Sequence, residues 1–126
     1  MFDFLKKTTQ ISIEDLRGKE WEELESLATQ KVSQGAEIDD LVTELIALYR
    51  GKHWGSFDDS PNSNYREHPI NVKGREIGLK LHNIADNDTD AFYLMQFVAY
   101  RVALRAKGDC ASLLNSVWHG IGQWRN

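Results

Sequence analysis

The chain has 126 residues, 41% hydrophobic and 27% charged, with a formal charge of −4. That is enough apolar material for one core, which excludes a disordered chain and makes a single domain the default reading. The charge is uneven: residues 1–50 hold six Lys/Arg against eleven Asp/Glu, and the rest hold nine against eight. With no basic stripe to neutralise phosphates, nucleic acid is excluded as a general partner.

The opening segment, Met1-Phe2-Asp3-Phe4-Leu5-Lys6-Lys7, does not read as a secretion signal, because its charges follow a short apolar patch. It reads as a terminal turn that tucks Phe2 and Leu5 onto the fold. The first helix is expected from Ser12, with Asp15 three residues on completing a capping box. Ile13, Leu16, Trp21, Leu24, Leu27, Ala28 and Val32 form its apolar stripe, and Glu20, Glu22, Glu23 and Glu25 read as its solvated face, with an acidic docking surface as the alternative. Gly18 weakens its middle by about 1 kcal/mol relative to alanine, so two shorter pieces are an open alternative. Gly35 is expected to end it as a left-handed cap.

The second helix, Ala36 to Arg50, has the cleanest period. Ile38, Leu41, Val42, Leu45, Ile46 and Tyr49 fall on one face, and Gly51 stops it. The short link predicts that helices one and two pack as an antiparallel hairpin. Residues 51–71 then lose all periodicity and read as a long loop, pinned by Trp54, Phe57 and Tyr65. A third helix is expected from Asn71 to Ala85, with Val72, Ile77, Leu79, Leu81 and Ile84 apolar. Gly74 and Gly78, four apart, permit close contact with a neighbouring helix. Asp88 or Thr89 caps the next helix, which runs to about Gly108. Between Ala91 and Ala106 only Gln96, Arg101 and Arg105 interrupt the apolar run, so this helix must be wrapped by others. It is too short and too charged to span a bilayer. Asp109 caps a last helix through Leu113, Leu114, Val117 and Trp118, and Gly120 and Gly122 unwind it near Trp124. The chain thus reads as one all-α domain over residues 1–126: a five- to six-helix bundle, or a small two-layer helical stack, around a central buried helix at about 88–108.

Three pieces carry a resemblance. They are Arg75-Glu76-Ile77-Gly78 with Leu81 and Asn83-Ile84, then Leu94-Met95 with Val98 and Val102, then Trp118-His119-Gly120-Ile121-Gly122-Gln123-Trp124. Together they resemble a group of small, uncharacterised bacterial helical proteins with an Arg-x-Ile-Gly helix and a Trp-x-Gly-Ile-Gly-x-Trp-like end. The resemblance covers about Lys73 to Trp124. It departs where those proteins tend to have a glycine pair and this chain has Ala85-Asp86-Asn87-Asp88-Thr89. It implies a bacterial, cytosolic, helical protein and carries over no activity.

No catalytic signature stands out. His53, Asp58, Asp59, His68, His82 and His119 show no metal-ligand spacing. Asp58-x-Ser60-x-Asn62-x-Asn64 resembles a calcium loop, but Ser63 and Pro69 stand where its glycine and its last glutamate belong. Cys110, the single cysteine, reads as a small buried residue, and one cysteine fits a reducing cytoplasm. Arg101 and Arg105, one turn apart, form either a grip for an anion or a strip that reaches solvent or pairs with acids of the first two helices. Trp118, His119, Trp124 and Arg125 form a last aromatic cluster, either core packing or a ligand platform. The candidate binding residues are Trp54, Phe57, Asp58, Asp59, Arg101, Arg105, Trp118, His119 and Trp124, with no catalytic residue, metal or cofactor assigned. The leading expectation is a non-enzymatic, cytoplasmic protein-interaction module, an adaptor or an acidic inhibitor of the immunity type. It would contact a protein partner or another copy of itself, without nucleic acid or membrane. The alternative is a small-ligand or metal-dependent enzyme with its site between the 51–71 loop and the C-terminal cluster.

Overall fold

A computed structural model describes residues 9–30, 32–52, 67–106 and 113–125. The expectations placed on the N-terminal turn, on Trp54, Phe57, Asp58, Asp59 and Tyr65 of the long loop, and on Gly108, Asp109 and Cys110 lie outside those residues.

The architecture is all-α. Ser12 opens α1 (Ile13–Leu16), and the Asp15 carboxylate accepts from the Ser12 N–H (3.0 Å) and hydroxyl (3.1 Å). The helix then breaks at Gly18, whose φ of +74° strains any L side chain. The first helix is therefore two pieces, and α2 (Trp21–Ala28) follows with Glu20 as its N-cap. One small feature is not legible in the sequence. Thr9–Gln10 (β1) and Val32–Ser33 (β2) pair in parallel, and the Ile11 N–H extends the ladder to the Ser33 carbonyl at 2.7 Å. Two residues per strand are too few to show alternation.

Gly35 is not the end of the first helix: α2 has already stopped at Ala28, and Gly35 is the N-cap of α3 (Ala36–Tyr49). The six apolar positions read from the period of α3 are all buried. The hairpin of the first two helices does not form. Both α2 and α3 pack instead on the central helix, α5 (Asp88–Ala106). The Gly51 N–H donates to the Ala106 carbonyl at 2.6 Å, so the C-terminal ends of α3 and α5 meet.

The next helix, α4 (Pro69–Ile84), starts two residues earlier than expected. Proline at the first helical position loses no hydrogen bond, and the His68 ring Nδ1 accepts from the Ile70 N–H (3.3 Å). Val72 and Leu79, read as apolar-face positions, are 43% and 44% exposed. Asn87, rather than Asp88 or Thr89, caps α5: its side-chain oxygen accepts from the Asp90 N–H at 2.8 Å. Ala91, Leu94, Met95, Phe97 and Val98 are wholly buried. Helices α1, α2, α3 and α4 all lean on α5, which is the centre of the fold. Asp90, near its start, receives Arg17 through two hydrogen bonds of 2.7 Å.

After α6 (Leu113–Val117) the chain turns through Gly120 and Gly122, both at positive φ, and closes on Trp124. Here α4 and the C-terminal segment interlock. Arg75 Nη1 donates to the carbonyls of Val117 and His119, each at 2.8 Å. Gly78 makes room for the indole of Trp118, whose Nε1 donates to the Gly74 carbonyl at 2.9 Å. His82 lies against Gly122 and bonds Asp88 at 2.9 Å. No helix among the described residues is long and apolar enough to cross a membrane.

Candidate functional site

A groove runs along α5. Its floor is the stripe Phe92, Gln96, Ala99, Tyr100 and Ala103, spaced so that all face one side of the helix. The stripe is about 16 Å long at 1.5 Å per residue. Trp21 and Glu25, one turn apart on α2, form one wall, and Asn115, Trp124 and Arg125 form the other. The groove is open on one side and holds a cavity of about 430 Å³, within the range of small-molecule sites.

The walls are aromatic. Trp21 stands edge-on to Tyr100, with ring centroids 5.2 Å apart, and Trp124 tilts against Phe92 at 5.7 Å. Trp124 is fixed from behind by Trp118 at 5.2 Å. Trp21 is nonetheless 58% exposed. Its place on the apolar stripe of the first helix predicts burial. The flanking glutamates were the signal that it stands at the edge of that stripe.

Polar groups in the groove are few. The Tyr100 hydroxyl is buried without a hydrogen-bond partner among the described residues. Burial, and secondarily the charge of Glu25, pushes its pKa up to about 12. Glu25 itself is exposed and makes no hydrogen bond or ion pair among the described residues. Arg125 Nη1 is turned back on its own turn, donating to the Gly122 and Trp124 carbonyls at 2.9 and 2.7 Å.

The residues singled out from sequence do not converge. Trp124 lines the groove. Trp118 is fully buried and serves the core. His119 is exposed and lines a separate cavity of about 280 Å³ with Asn71, Arg75, Ser116 and Val117. Arg101 and Arg105 part company. Arg105 is exposed, whereas Arg101 is 6% exposed, lies 5.5 Å from the Phe97 ring, and leaves Nη1 without a partner among the described residues. Burial lowers the Arg101 pKa, Arg105 adds to the effect, and Asp39 opposes it. His68 and His82 are spent on a helix cap and on Asp88.

A further cavity of about 460 Å³ is bordered by Glu14, Asp15, Asp86 and Asp90 together with Gln34. Its acids are partly engaged already, Asp15 with Ser12 and Asp90 with Arg17 and Asn87. No group of three His, Cys, Asp or Glu among the described residues is placed to hold a metal ion.

No protein-family model, curated protein or solved structure matches this chain.

Proposed function

We propose that this chain is a cytoplasmic, non-enzymatic protein-interaction module, an adaptor or an inhibitor of the immunity type, that covers a basic partner with α2. The observation that carries this reading is Trp21, 58% exposed on a helix whose Glu20, Glu22, Glu23 and Glu25 are all exposed. Folding gains little from an indole left in water, whereas docking gains much, since tryptophan is among the residues most enriched at binding hot spots. The surrounding carboxylates steer a basic surface toward it and set the salt dependence of its arrival. The acidic excess of residues 1–50 points the same way.

The test is a pull-down from the native host at low salt, with the wild-type chain beside a Glu20→Lys, Glu22→Lys, Glu23→Lys variant. A partner held by the wild type, released by salt and lost from the variant is the expected result. Recovery of the same proteins by both chains would refute the reading.

A further inference from the structure

The groove on α5 shares Trp21 and Glu25 with the face of α2 and adds to them an aromatic floor and a second wall. Four aromatic rings surround it, and the faces of aromatic rings carry partial negative charge that attracts cations. Glu25 stands at its edge with an uncommitted carboxylate, while the Tyr100 hydroxyl is buried away from the opening and leaves its ring to the groove. The floor is open because Ala99 and Ala103 occupy it, where larger side chains would close it. We propose that this cavity binds a small organic ammonium ion with an aromatic or bulky apolar body. The rings of Trp21, Phe92, Tyr100 and Trp124 take the body, and Glu25 takes the charge.

Arg125 is the one cation among the described lining residues. Its Nη1 is occupied by two carbonyls of its own turn, so it braces the wall that carries Trp124. An apolar anion would have to approach Arg125 while facing Glu25, and a neutral molecule would gain a hydrogen bond to the carboxylate at most, without the charge attraction of the rings and Glu25. The size of the cavity suits a single ring with a short side chain, and leaves space for water at the open end.

Three probes built on one phenethyl body separate these cases: phenethylammonium, 2-phenylethanol and 3-phenylpropanoate. Each is titrated into the full chain by calorimetry and by following the indole N–H resonances of Trp21 and Trp124. The ammonium is expected to bind at least about tenfold more tightly than either other probe, from combined ring and carboxylate contacts. Glu25→Gln should erase that preference, and Ala103→Leu should weaken all three probes by filling the floor, with the Trp118 resonance unmoved throughout. Equal affinities, a preference for the anion, a preference that survives Glu25→Gln, or silent Trp21 and Trp124 resonances at millimolar ligand would overturn the proposal. A lysine-rich peptide that binds where phenethylammonium does not would also overturn it, and would assign the cavity to a partner's side chain.

Discussion

Gly78→Ala tests how α4 and the Trp118 indole lock together. On a free helix this change stabilises by about 1 kcal/mol, because alanine is the better helix former. Here the added methyl would fall within 3.0 Å of Nε1, Cδ1 and Cε2 of Trp118, closer than real side chains come. That indole is wholly buried and held by the Gly74 carbonyl, so it has little freedom to retreat. Overpacking of this kind costs about 1–3 kcal/mol, and a displaced indole loses a hydrogen bond worth about 1 kcal/mol more. Against the helical gain, the net loss is about 1–3 kcal/mol, or a drop in Tm of roughly 4–12 °C for a domain of this size. Urea unfolding followed by circular dichroism measures it. The companion is a cycle with Trp118→Phe, whose smaller ring vacates the space the methyl needs. The double variant should be more stable than the sum of the two single losses. A Gly78→Ala chain that gains about 1 kcal/mol, or a cycle that is additive, would refute the packing argument.

Three further expectations follow from the charged and polar interior. Hydrogen bonds from Arg17 hold the Asp90 carboxyl below its ordinary 3.8 although burial pushes it up. The stability this gives is present above pH 3.8 and is lost as pH falls through the depressed value. In urea midpoints taken across the acid range, Asp90→Asn should therefore flatten the acid limb, and Arg17→Gln should lower stability near neutral pH and flatten that limb as well. Tyr100 behaves in the opposite direction. Its phenol is held neutral beyond the ordinary value of 10.0, so stability is full below pH 10 and falls as pH rises toward about 12. Tyr100→Phe should remove that part of the alkaline loss, and identical alkaline curves for the two chains would contradict the burial of the hydroxyl. Arg101→Met removes a buried guanidinium with an orphaned Nη1. Its stability by thermal melt should stay within about 0.5 kcal/mol of wild type or rise, and a loss above about 2 kcal/mol would mean the group is paired.

Local rules read from the chain did determine several elements. The period of α3, the capping pair Ser12 and Asp15 and the buried run of α5 all depend on residues within a turn or two of one another, as does the weakness at Gly18, which leaves the split of the first helix open. Their physics is complete in a short window: side-chain spacing, a nearby acceptor, a backbone angle only glycine takes freely. What the window cannot hold is the choice of neighbour. The apolar faces of α2 and α3 are compatible with packing on each other, yet both lie on α5, whose circumference offers surface to each. The same choice separates Arg101 from Arg105, which share a helix side in sequence but not an environment. It also decides that the groove draws its walls from α2 and the C-terminal turn, far apart along the chain. Periodicity fixes which face of a helix is apolar; only the packed assembly decides what covers that face and what, like Trp21, is left at its edge.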